Sequence, residues 1–128
     1  MIEEDYVSFE TAKLLKEKGF NWNTDKQYNL DKIVGDYNIT DRSRYPERYL
    51  DAPTIQMVMK WLREVHHYYI QVMLDSWACG GHTGYYVVIQ RTDNDFEMML
   101  QDAVDEVFYQ TYEEACEAAI KYCLESLI

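Results

Sequence analysis

Proline and glycine are scarce in this chain, two and five in 128 residues. So little punctuation excludes collagen-like and low-complexity architectures. It leaves a folding composition, 48% hydrophobic and 27% charged. No stretch reaches the roughly 18 uninterrupted apolar residues that a membrane-spanning helix needs, so no span is expected. Met1-Ile2-Glu3-Glu4-Asp5 is acidic and lacks the basic stretch and apolar run of a secretory leader. Cysteine is sparse and odd in number: Cys79, Cys116 and Cys123. A chain of this size buries roughly two-thirds of its unfolded surface and needs no covalent staples. Reduced thiols in a cytoplasm are the expectation, in one domain over residues 1–128.

Positive charge is almost missing from the second half. The net charge is −11 overall; residues 1–68 carry ten Lys/Arg against twelve Asp/Glu, whereas residues 69–128 carry two, Arg91 and Lys121, against eleven. A field of that sign repels phosphate backbones and weighs against direct nucleic-acid binding. The plain reading is a solvated surface. The sharper one is an acidic face offered to a basic partner, or a mimic of nucleic acid. Tyrosine is in excess, at twelve, and its apolar body with a polar tip suits half-buried sheets and interfaces alike. Base-stacking surfaces pair aromatics with Lys and Arg. Arg42-Ser43-Arg44-Tyr45-Pro46-Glu47-Arg48-Tyr49 alone has that interleaving, and it reads first as a loop.

Three helices are marked. Ser8 is a good N-cap, Phe9, Ala12 and Leu15 form a narrow stripe, and Gly19 supplies the left-handed stop. This predicts a helix over about 9–18. Asp51 or Ala52 is expected to cap the second, with Pro53 in its first turn. Ile55, Val58, Met59, Leu62 and Val65 recur at the helical period, and Met57 and Trp61 make a second stripe. The last opens on a capping box, Thr111 with Glu114, and keeps Cys116, Ile120, Cys123 and Leu127 inward.

Between the second and third helices the period becomes two. Tyr68, Ile70, Val72 and Leu74 oppose His67, Tyr69, Gln71 and Met73; Tyr85, Val87 and Ile89 oppose Tyr86, Val88 and Gln90. A turn-rich link, residues 75–84, makes these an antiparallel hairpin. Val107-Phe108-Tyr109 is the expected third strand; the spacing in 95–104 fits a helix or a strand, and irregular structure or a short helix is the expectation. Residues 21–51 suit turns and one short strand or hairpin. So long a stretch without regular structure is uncommon unless it has a job or holds further structure, and nothing in the sequence decides between the two. The fold class is α+β: a small antiparallel sheet of about three strands, with room for one more from 21–51, packed by three helices. The order is α, irregular, α, β, β, β, α.

Three segments carry a resemblance. They are Val7 to Phe20, Ala52-Pro53-Thr54 continuing through Lys60 to His66, and Thr111 through Glu125. Each resembles a group of uncharacterised small acidic proteins encoded in gut bacterial genomes and their prophages. They span somewhat under half of the chain, all of it expected helix. The resemblance implies a mobile-element or phage-related accessory protein and brings no catalytic residue.

Chemical motifs are thin. Cys79 and His82 form a Cys-x2-His half-site to which His66 or His67 would have to add. Adjacent histidines on a strand face opposite sides, which leaves fewer than the four ligands of a structural zinc. Acidic surroundings would raise a Cys79 thiol pKa and work against a nucleophile. Asp93-Asn94-Asp95-Phe96-Glu97 begins like a calcium loop but has Met98 where glycine and Val104 where glutamate are required. Gly80-Gly81-His82-Thr83-Gly84 lacks the lysine of a phosphate-binding loop. Glu64 and His66 diverge at a helix end. No catalytic residue, cofactor or metal is therefore expected. The leading expectation is a non-catalytic interaction module, self-associating or bound to a protein partner, with Trp61, Met57, Tyr69 and Tyr86 as its candidate contacts. An acidic antagonist of a nucleic-acid-processing protein comes second, and a small enzyme or metal-binding protein third.

Overall fold

Ser8 opens the first helix, α1 (Phe9–Glu17), by accepting from the Thr11 amide at 3.2 Å. Its far end closes through two backbone bonds. Gly19 N–H donates to Lys16 at 3.2 Å, and Phe20 N–H reaches back to Leu15 at 2.9 Å. That pairing needs a left-handed residue, and Gly19 provides it at φ 88°.

The computed structural model describes residues 5–75, 84–103 and 108–128. The chain divides into two compact units, Met1–Ile55 and Gln56–Ile128. In the first, the stretch expected to be mostly turns holds a small antiparallel sheet. Strand β1 (Gln27–Tyr28) lies between β2 (Val34–Gly35) and β3 (Leu50–Asp51). Asn29 turns β1 into β2: its side-chain oxygen accepts from Asp31 at 2.9 Å and Ile33 at 3.0 Å. The short helix α2 (Ile39–Arg44), capped by Asn38, and a 3-10 turn at Pro46–Arg48 lead into β3. Val7, Ala12 and Leu15 are buried, with Thr11 and Gln27 the buried polar residues.

Helix α3 runs over Ile55–Val65 and starts later than the proline suggests. Ala52 N–H donates to Lys26 and the Pro53 carbonyl accepts from Val7, while Thr54 bridges Tyr6. Extended backbone pairing thus claims residues 52–54, and Pro53 lies within this segment instead of opening the helix. Ile55, Val58, Trp61 and Leu62 form the buried stripe; Met57 is half-buried and Val65 is exposed.

The second unit is built on β4 (Tyr68–Asp75), β5 (Gly84–Arg91) and β6 (Glu97–Met99), in that order and antiparallel. Tyr68 pairs with Arg91 and Asp75 with Gly84, as two equal strands in full register. The third strand of the sheet is 97–99. Asn94 accepts from the Phe96 amide at 2.8 Å and so turns the chain straight back onto β5. Tyr109 adds a single bridge, to Tyr85, and Val107 lies outside the described residues. The stretch expected to be irregular or a short helix thus holds a strand, β6, before the short helix α4 (Leu100–Ala103).

Helix α5 (Tyr112–Tyr122) is capped by Thr111, which accepts from the Glu114 amide at 3.1 Å, and continues as a π-helical turn at Cys123–Leu127. Ala115, Cys116, Ala119, Ile120, Cys123 and Leu124 are buried, as are Ile70, Val87 and Ile89 on the inner face of the sheet. Small residues on α5 let the helix approach the strands closely. Each large aliphatic among them contributes roughly 1.5–3 kcal/mol by burial. The architecture is α+β, as expected. Among the described residues no helix is long and apolar enough to cross a membrane.

Candidate functional site

Because the pleat alternates, the residues opposite the core face of β4–β5–β6 share one surface. From β4 come Tyr69, Gln71 and Met73; from β5, Tyr86, Val88 and Gln90; from β6, Glu97 and Met99. Tyr69, Met73 and Met99 are each about two-fifths exposed, and Tyr86 and Val88 are half-buried. Tyr86 meets Phe108 edge to face at 6.3 Å. A line of amides crosses the strands: Gln71 donates to Gln90, and Gln90 to Glu97 at 3.4 Å. Glu97 is the one charge among these eight residues. Asp75, which closes β4, takes the next position in the same alternation.

β5 is the central strand, paired on both sides, whereas β4 and the shorter β6 are outer strands, and β4 has no neighbour beyond it among the described residues. Its eight residues contain no proline, glycine or lysine before the closing Asp75. Natural edge strands are commonly guarded by such residues or by bulges; among the described residues β4 has neither before Asp75.

The candidate contacts separate. Tyr69 and Tyr86 lie on the shared face. Trp61 is 2% exposed on the buried side of α3, with the His66 ring 4.6 Å from its own, and Met57 is half-buried. Burial, with a smaller contribution from neighbouring His67, holds the His66 imidazole below the ordinary histidine range. His67 sits at the turn into β4 with φ 65°, where its carbonyl accepts from Thr92 N–H at 2.8 Å. Cys79 and His82 lie outside the described residues. Among the described residues, no three His, Cys, Asp or Glu side chains are grouped to hold a metal ion. Burial pushes the Cys116 thiol up to about 11 and the Cys123 thiol to about 12, far from nucleophilic.

The first unit carries a feature that sequence reasoning missed, a cleft of about 570 Å³ between α1, the small sheet and the α2 segment. Leu15, Phe20, Ile39 and Leu50 give it apolar walls; Lys16, Gln27, Arg42 and Asp51 add polar groups. Gln27 is 1% exposed, and its Nε2 donates to the Thr24 carbonyl at 3.3 Å. Its Oε1 has no hydrogen-bond donor among the described residues. Arg42 is anchored by Nε, which donates to the Tyr37 carbonyl at 3.1 Å. The length of 21–51 hinted at either a job or further structure, and the small sheet and α2 already account for it.

No protein-family model, curated protein or solved structure matches the chain.

Proposed function

We propose that this chain is a non-catalytic interaction module that associates with a second copy of itself through the outer edge of β4 and the adjoining open face. The observation that carries this reading is the unguarded edge, eight residues of alternating pattern with backbone donors and acceptors left for another strand. An isologous pair of such edges would join two three-stranded sheets into one continuous layer. The modest charge of the face supports the same reading, since Glu97 and the closing Asp75 are the charged residues in its alternation. The buried thiols of Cys116 and Cys123 suit a reducing cytoplasm. The resemblance of the helical segments to mobile-element accessory proteins suits a part without chemistry of its own.

Light scattering over a concentration series tests this. The mass is expected to rise from that of one 15.3 kDa chain toward two. Because both copies are acidic, added salt is expected to strengthen the association by screening their repulsion. A single-chain mass at every concentration and salt would end the proposal.

A further inference from the structure

We infer that the cleft of the first unit is a binding site for a small organic anion: a carboxylate on an aromatic or short aliphatic body that also carries an O–H or N–H donor. Three independent features select that chemistry. The volume, about 570 Å³, lies within the range of small-molecule pockets, and its walls are apolar with a few convergent polar groups.

The charges lining it are unbalanced in an unexpected direction. Lys16 and Arg42 both line the cleft, and neither forms an ion pair among the described residues, where the ion pair found is Arg91 with Asp93. Arg42 is half-buried and held by its Nε, which leaves the two terminal nitrogens for a carboxylate. The one carboxylate in the lining, Asp51, already accepts from the Thr24 hydroxyl at 3.2 Å.

The third feature is the Gln27 carboxamide. A buried acceptor without a donor is costly, and such groups in native folds ordinarily have a partner. Gln27 lies in the wall of the cleft with its amide committed to Thr24 and its oxygen unsatisfied. A ligand hydroxyl or N–H supplies the missing donor while its carboxylate meets Arg42 and Lys16. Neither a purely apolar molecule nor a bare inorganic ion uses all three features.

Titration of ¹⁵N-labelled protein with 4-hydroxyphenylacetate, followed by amide chemical shifts, tests the site. Saturable shifts are expected in residues 12–27 and 39–51. Two further probes take the ligand apart without altering the protein: phenylacetate lacks the donor, and 4-methylphenol lacks the anion. Each is expected to bind at least about tenfold more weakly, as expected for loss of a charged or buried hydrogen bond. Arg42→Gln is expected to weaken 4-hydroxyphenylacetate by about tenfold or more, whereas Arg44→Gln, on the same helix but outside the cleft, leaves it unchanged. Gln27→Met is expected to abolish the preference for 4-hydroxyphenylacetate over phenylacetate. The inference is overturned if no saturable shifts appear by about 10 mM, if they map outside these segments, or if 4-methylphenol binds as well as the acid.

Discussion

Met73 and Tyr86 stand directly opposite each other across β4 and β5, on the face turned away from the core. One strand position earlier, Val72 and Val87 are the opposed pair, and Val87 is fully buried. A shift of one residue along the same strand therefore separates a side chain that holds the unit together from one free to meet a partner.

That separation predicts two different responses. Met73→Glu is expected to leave the melting temperature nearly unchanged, since exposed substitutions cost within about 0.5 kcal/mol, while lowering self-association by placing like charges at the contact. Ile70→Ala, on the inner face at 6% exposure, is expected to cost about 2–4 kcal/mol. Urea denaturation and light scattering on both variants check this. Equal loss of stability in the two would show that the faces have been wrongly assigned.

Cys116 and Cys123 are expected to be inert in the native protein. With the Cys123 thiol pushed to about 12 by burial, its thiolate fraction at pH 8 is on the order of one in ten thousand. Iodoacetamide followed by mass spectrometry should label both only after denaturation. Carbamidomethylation of Cys123 in native buffer would contradict the packing of α5.

His66 sets a pH dependence. Its folded pKa is depressed, first by burial and then by His67, so just below pH 6.5 the unfolded chain binds more protons than the fold. The stabilising contribution is complete above the unfolded value near 6.5 and is lost as pH falls through the folded one. Between about pH 7.5 and 5.5, His66→Gln should therefore lose less stability than the natural chain. Identical losses would remove His66 as the cause.

Much of this was legible in the sequence where one period dominated. Tyr68 to Leu74 and Tyr85 to Gln90 alternate cleanly, and both the pairing and the two faces follow. Gly19 stops α1 where its position suggests. Pro53 misleads because a proline before an apolar repeat fits a first helical turn and an extended lead-in equally well. Only the long-range bonds to Val7 and from Ala52 to Lys26 decide between them. The strand at 97–99 was missed for a similar reason: its short apolar run fits either period, and only the Asn94 turn brings it back onto β5. The cleft left almost no trace, because Lys16, Gln27 and Arg42 come from three elements and no local pattern joins them.

Gly19 offers a check on the first unit alone. A Cβ there would meet nothing within 4 Å, so the cost of Gly19→Ala is the left-handed backbone itself. A loss of about 1–2 kcal/mol is expected in denaturant unfolding. An unchanged or raised midpoint would mean that the α1 stop is formed otherwise.

Amide hydrogen exchange along β4 reaches the proposed contact most directly. Alternate amides of Tyr68–Asp75 point toward β5 and are expected to be protected at any concentration; the remainder point outward. Pairing with a second copy predicts that protection of the outward set grows as protein concentration rises. Outward amides that exchange at the same fast rate in dilute and concentrated samples would contradict it.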